Sequence, residues 1–214
     1  MEPKVAIFVC SCDHYADLWP TVISGFEMHW SDCPYDIYLH ANDITDFDTG
    51  HEKIKLISTG ADLDWSTNLI NAIAALDYDY FLMWIDDAFL RKPVNAEQLD
   101  AFIQFVSDND VDGLKLRKHP KLQHYEANNI GYVPPNSPYR LTVFSVIWKK
   151  AALLRALKKG ENPWEFEIKG SYRNPDLKIY ALSAPVLFIK SYNASSINTS
   201  PSNLSIITSL FNNL

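Results

Sequence analysis

Tyr80-Phe81-Leu82-Met83-Trp84-Ile85-Asp86-Asp87 is the stretch on which the reading of this chain turns. Six apolar residues run without a 3.6-residue rhythm and stop at two adjacent acids. Such a run is a strand buried on both faces, the habit of a central strand in a parallel sheet covered by helices on either side. Its end falls at the carboxyl edge of the sheet, where open α/β sheets bind ligands. Neighbouring side chains of a straight strand point to opposite faces, so Asp86 and Asp87 serve one ligand only if the chain turns there. Small Ala88, with Arg91-Lys92-Pro93 soon after, predicts that turn. Carboxylates gathered without His or Cys suit a hard divalent cation, Mg2+ or Mn2+, whose shell phosphate oxygens complete. Acids that merely cap a turn are the competing reading of the same pair.

The rhythm of strand and helix extends outward from this run. Val5 to Cys10 is a second continuous apolar stretch and reads as the first buried strand, leading into the polar loop Ser11-Cys12-Asp13-His14-Tyr15. Asp17 to His29 is helical through Leu18, Val22, Ile23 and Phe26. Asp36 to His40 is a short strand, and Lys53 to Ile57 alternates as an outer, half-exposed strand does. Asp64-Trp65-Ser66 leads into a helix with Leu69, Ile70, Ile73 and Leu76 on one face. Asn95 and Gln98 open another, and Val111 to Arg117 is again a strand. The alternation predicts an α/β domain with a mostly parallel, Rossmann-like sheet flanked by helices.

The second half is less regular. Residues 118 to 138 hold Pro120, Pro134, Pro135 and Pro138 and read as a long loop of the kind that is functional or mobile. Tyr139 to Trp148 reads as a strand, and Lys149 to Lys159 as a helix stopped by Gly160. Asn162, Pro163 and Glu165 fit a capped helix start, and Leu177 to Ile189 supplies one or two last strands. One domain is expected over residues 1–190. Residues 191–214 are a Ser/Asn-rich tail without charge, in which Leu204, Ile207, Leu210, Phe211 and Leu214 share one helical face. Such a tail docks on the domain, on a second copy or on a membrane surface, or it is a disordered appendage.

Composition bounds the function. A chain of 214 residues with 47% hydrophobic and 21% charged residues is ordinary for a globular protein. The net charge of -7 argues against a nucleic-acid partner but not against phosphorylated small molecules, since a bound metal can carry the positive charge. No apolar run nears the about 20 residues of a spanning helix, and the N-terminus has no signal-peptide core. Three cysteines without a targeting segment then point to a reducing cytoplasm. Cys10, Cys12 and His14 alternate along the first strand and its end, where packing is the preferred reading over a zinc site.

Taken together, the Ser11-Cys12-Asp13 loop, the helix opened by Trp65-Ser66, Trp84-Ile85-Asp86-Asp87 and Asn162-Pro163-Trp164-Glu165-Phe166-Glu167 resemble bacterial glycosyltransferases of the GT-A fold. More narrowly, they resemble the small enzymes that build lipopolysaccharide O-antigen or capsule chains. Ile85 stands where many of these carry the first acid of an Asp-x-Asp motif, so the division of labour rests on Asp86 and Asp87. The resemblance implies a nucleotide-sugar-binding half over 1–117 and an acceptor-side half over 118–190, taking a glycan or lipid-linked acceptor. It implies Asp87 as ligand of Mn2+ or Mg2+, with Asp86 reaching the ribose or the metal through water. Ser11 and Asp13 would hold the nucleotide, and Trp65 would border it. Arg173, like Arg117, Lys118 and Arg140, is a candidate phosphate clamp. Glu165 is the first choice for the base that activates the acceptor hydroxyl and Glu167 the alternate, giving inversion at the anomeric carbon. The enzyme would work in the cytoplasm, with the inner face of the plasma membrane as a further option.

Two rivals follow from the same residues. A sugar nucleotidyltransferase usually holds its triphosphate with a Gly-rich basic loop, and Ser11 to Leu18 has no Gly, Lys or Arg. A non-catalytic nucleotide-sugar-binding or scaffold protein is the rival from another class.

Overall fold

The computed structural model describes residues 2–119, 122–125, 129–186 and 189–191. Of the expected tail, 191–214, Ser191 ends a strand and the rest lies outside the described residues. Strands β1 (Val5–Cys10), β2 (Asp36–Ala41), β3 (Ile54–Ser58) and β4 (Tyr80–Ile85) pair side by side in the order β3-β2-β1-β4, all parallel. The remaining strands are β5 (Ala88–Leu90), β6 (Gly113–Lys118), β7 (Gln123–Tyr125), β8 (Ile130–Tyr132), β9 (Val146–Lys149), β10 (Ile179–Leu182) and β11 (Ile189–Ser191). The sheet continues from β4 through β9-β6-β10-β8-β7, and β5 pairs separately with β11. β9 and β8 run against the other strands, so the sheet is mixed rather than wholly parallel. β4 is central, parallel to β1 on one side and antiparallel to β9 on the other.

Side-chain alternation explains the unbroken apolar runs. Ile7, Val9, Leu82 and Trp84 point to one layer, where Val22 and Phe26 of α1 (Trp19–His29) and Phe102 and Val106 of α3 (Ala96–Asp108) cover them. Ala6, Phe8, Phe81 and Met83 point to the other, under Leu69 and Ile73 of α2 (Trp65–Ala75), Leu153 of α4 (Lys150–Ala156) and Phe166. Each large side chain buried this way contributes on the order of 1.5–3 kcal/mol, enough for β1 and β4 to anchor the sheet. β3 is the outer, half-exposed strand that its alternation predicts.

Three expectations are corrected. Tyr139–Trp148 is not one strand: only its end enters β9, and the chain before it is irregular, with positive φ at Tyr139 (52°) and Ser145 (53°). The cause is Arg140, fully buried, whose guanidinium reaches the carbonyls of Val133 (3.1 Å), Asn174 (2.8 Å) and Leu177 and pulls the chain out of the ladder. The long loop of residues 118 to 138 contains β7 and β8. α4 ends at Ala156, and Gly160, at φ +82°, shapes the link to the next helix instead of stopping this one.

Candidate functional site at the carboxyl edge of β1 and β4

The register that sets Cys10 opposite Ile85 leaves Ser11 beside Asp86 just past the edge. The Ser11 hydroxyl donates to Asp86 Oδ2 (2.6 Å), and Trp19 Nε1 donates to Ser11 Oγ (2.7 Å). The chain turns at Asp86 and Asp87, as predicted, and Trp84 Nε1 closes the turn on the Ala88 carbonyl (2.8 Å). Both acids are half-buried. Burial raises the Asp86 carboxyl to about 6 against the pull of the Ser11 hydroxyl, with the Asp87 charge adding to the rise. Burial also raises Asp87, whose Oδ1 is enclosed and has no hydrogen-bond partner.

Asp13 begins the 3-10 turn Asp13–Leu18 and reaches across to the end of β2. Its Oδ1 accepts from Asn42 N (2.8 Å), its Oδ2 from Asp43 N (2.8 Å) and Ile44 N (3.0 Å). Three backbone donors engage the carboxylate, so Asp13 ties the end of β2 to this edge and shapes its wall. Beside it, buried His40 bridges the Ser11 carbonyl and Thr59 Oγ1, both at 3.0 Å, and burial lowers its pKa so that the ring is neutral near pH 7. Asn42 and Asn68 are also buried here. Asn68 donates to Asp62 Oδ1 (2.7 Å), while Asn42 Nδ2 and Asn68 Oδ1 have no partner. Trp65 is packed against Phe166 (ring centroids 5.8 Å apart) and belongs to the core margin.

The opposite wall comes from the second half. Val146 of β9 is opposite Met83 of β4 and also opposite Lys115 of β6. The segment preceding β9 therefore emerges at the same edge as Asp86, and Ser145 N donates to the Met83 carbonyl (2.9 Å). Thr142, on this segment, donates its hydroxyl to Glu167 Oε1 (2.6 Å). Lys115 is buried, donates to the Tyr139 carbonyl (2.6 Å) and is lowered to about 8, by burial first, with the Glu167 charge opposing. Arg117, exposed, lies over the Phe144 ring (4.8 Å).

The helical stretch of residues 163–173 comprises α5 (Pro163–Glu165), a π-type turn (Phe166–Gly170) and α6 (Ser171–Arg173). Asn162 caps it: Asn162 Oδ1 accepts from Glu165 N (2.9 Å), and Glu165 Oε2 accepts from Asn162 N (3.1 Å). Glu165 Oε1 also pairs with Lys169 (2.6 Å), which, with the capping bond, holds this carboxyl below its ordinary range. A carboxylate so occupied is a weak base, and the expectation that ranked Glu165 first is not favoured by its surroundings. Arg173 is likewise engaged, gripping Glu161 through Nη1 (2.7 Å) and Nη2 (2.9 Å) and the Ala156 carbonyl (3.1 Å). Arg140 is buried as described, so neither arginine is a free phosphate clamp. The structure thus brings Ser11, Asp86 and Asp87 together on one wall and Glu167 with Thr142 on the other.

The chemistry of Asp86 and Asp87 fits a divalent cation. Mg2+ and Mn2+ commonly take one or two carboxylates and fill the rest of their shell with phosphate and water, so a third protein acid is not required. Among the described residues no group of three or more His, Cys, Asp or Glu gathers. The enclosed Asp87 Oδ1 without a partner is the observation that makes the fit. A separate hollow of about 490 Å3 opens at the amino end of β4, lined by Tyr78, Asp79, Tyr80 and Lys150, a strand's length from these acids.

The mixed sheet, covered by helices on both faces and with a polar carboxyl edge at its parallel strands, is an α/β fold. Among solved structures the chain is similar to S. aureus TarS 1-349, with a TM-score of 0.58 and 13% identity, over 97% of this chain and 64% of that one. The TarS 1-349 structure in complex with UDP gives 0.56 at 14% identity, over 98% and 64%, and the longer TarS structure 0.57 at 14%, over 97% and 38%. The chain thus spans under two thirds of the length of these structures, and the likeness is one of fold. No family model and no curated protein sequence matches. Among the described residues no helix is long and apolar enough to cross a membrane.

Sequence reasoning missed Lys115, His40, Asn42, Asn68 and Thr142. Lys115 carries a readable signal, a lone cation between Leu114 and Leu116 in a strand. The asparagines carry none, because only the fold buries them.

Proposed function

We propose that this chain transfers a sugar from a nucleotide-sugar donor to an acceptor hydroxyl, with inversion at the anomeric carbon. The observation that carries the reading is the enclosed, unpartnered Asp87 oxygen beside Asp86 at the sheet edge. Asp87 and Asp86 would hold a divalent cation that, when bound, offsets the charge of the departing diphosphate. Ser11 fixes Asp86, and the buried amides of Asn42 and Asn68, with His40 behind them, form the polar wall of the nucleotide side. Glu167 acts as the general base. The acceptor oxygen bonds to the anomeric carbon as the bond to the diphosphate oxygen breaks, the diphosphate leaves with the electron pair, and the proton passes to Glu167. The Thr142 hydroxyl orients that carboxylate. Arg117 is the exposed cation suited to the diphosphate from the far side. UDP bound to the fold neighbour TarS supports a uridine nucleotide as the first donor to try. Acceptors of the O-antigen or capsule type, glycan or lipid-linked, and a cytoplasmic site of action complete the proposal.

The test is thermal stabilisation by nucleoside diphosphates with and without Mn2+, since a ligand of the folded state raises the melting point by mass action. Manganese-dependent stabilisation is expected, and Asp87→Ala should remove it. If Asp87→Ala responds to manganese and chelator like the unaltered protein, the reading fails. Glu167→Gln should lower kcat by about 10²–10⁴-fold while leaving diphosphate affinity unchanged.

A further inference from the structure

Trp164, Ile168 and Tyr172 recur every four residues along the helical stretch 163–173 and are 68%, 44% and 49% exposed. Phe166, Gly170 and Ser171 of the same stretch are buried. Leu63, 66% exposed, stands beside the stripe, because Asp64 accepts from Gly160 N (3.0 Å) and Glu161 N donates to Ser66 Oγ (3.0 Å). Large apolar side chains gathered on one exposed face mark a binding surface. The charges around this face nearly balance. Asp62, Asp64, Glu165 and Glu167 stand against Lys158, Lys159 and Lys169, and Arg173 is paired with Glu161. Such a surface suits an uncharged apolar occupant better than a strongly charged one.

We infer that residues 204–214 of the same chain dock on this face. Residues 191–214 hold no charged side chain, and Leu204, Ile207, Leu210, Phe211 and Leu214 make an apolar set with helical spacing. The course of the chain leads there. β11 runs antiparallel to β5, with Ile189 opposite Leu90 and Ser191 opposite Ala88, so the chain is heading towards Asp87 and the carboxyl edge at Ser191. The apolar face belongs to that edge too. Glu167 of the same helical stretch meets Thr142 in one wall of the site, and Asp62, next to Leu63, accepts from Asn68 in the other. β5 lies in the α1 layer and Phe166 in the α2 layer, on opposite sides of the sheet. Residues 192–203, at about 3.3 Å each, can span about 40 Å, more than the roughly 30 Å of a helix–sheet–helix stack, so the apolar set reaches the face. A tether of this length holds the segment at an effective concentration on the order of millimolar, which favours it over the same segment of a second copy. The inference rests on this surface and on the course of the chain, and is independent of the proposed transfer reaction.

The experiment is photo-cross-linking of the full chain carrying Trp164→p-benzoylphenylalanine, in an equal mixture of unlabelled and isotopically labelled protein, with the joined peptides mapped by mass spectrometry. Cross-links to residues 204–214 within one chain, in a yield independent of protein concentration, are expected. Leu210→Ser with Phe211→Ser should lower that yield by about fivefold or more, since two large apolar groups leave the contact. Trp164 is exposed, and an unchanged circular dichroism spectrum verifies the fold of each variant. Cross-links absent from residues 204–214, or a yield that the double variant keeps, overturn the inference. Cross-links that join an unlabelled chain to a labelled one would assign the face to a second copy and overturn it equally.

Discussion

Around Asp86 the polar groups stand at the ends of parallel strands, whereas around Glu167 they stand on an irregular segment and a short helical stretch. On the first wall, register alone does most of the placing: Cys10 opposite Ile85 makes Ser11 a neighbour of Asp86, and backbone amides of the β2 end hold Asp13. On the second, charged side chains do it. Arg140 ties three carbonyls from distant segments, and Arg173 ties Glu161 and Ala156. The two walls of one site therefore fail differently. The first should tolerate loss of single polar groups, while the second depends on two engaged arginines, Arg140 in the core and Arg173 at the surface.

Arg140→Met probes that difference most severely. The substitution keeps much of the apolar stem but leaves the carbonyls of Val133, Asn174 and Leu177 without their donor. A loss on the order of 3–5 kcal/mol in the free energy of unfolding is expected, measured by urea denaturation. A loss below about 1 kcal/mol would show that the second wall is held by packing instead, and the contrast drawn between the walls would not stand.

Lys115 sharpens the comparison through pH. Burial sets its folded pKa near 8, below the ordinary 10.5, so between these values the unfolded chain binds more protons than the folded one. Stability must therefore rise with pH across that window, and the charged form is a burden below it. The wild-type protein should gain on the order of 3 kcal/mol relative to Lys115→Met between about pH 8 and about 10.5. Parallel stability curves for the two proteins over that range would mean that the ammonium is solvated.

How much of this was legible in the sequence follows the same division. β1, β4, the cap of α3 at Asn95 and the capped start at Asn162 were readable because hydrophobic runs and caps are local signals. The turn at Asp86 and Asp87 was readable for the same reason. Residues 139–148 read as a strand because an Arg among apolar neighbours resembles an exposed position, while its partners Asn174 and Leu177 lie far along the chain. Arg173 read as a free cation for a similar reason, since Glu161 meets it only once the helical stretch has formed. Asp13 read as an unengaged carboxylate because its partners, three amides at the β2 end, lie far along the chain.

The finest discrimination lies between two glutamates two residues apart. Glu165 read as the better base by its place in Asn-Pro-Trp-Glu, yet its carboxylate is shared between the cap and Lys169. Gln at 165 still accepts from Asn162 N through its amide oxygen, so Glu165→Gln should leave the helix start formed and the transfer rate within about twofold of wild type. Asn162→Ala, which removes the acceptor for Glu165 N, should lower stability by about 1 kcal/mol without a selective loss of kcat. These two variants report the structural role, against which the rate loss of Glu167→Gln stands out. If Glu165→Gln instead lost the rate and Glu167→Gln kept it, proton transfer would belong to the outer face of the helical stretch. The Thr142–Glu167 pair would then be only another staple of the second wall.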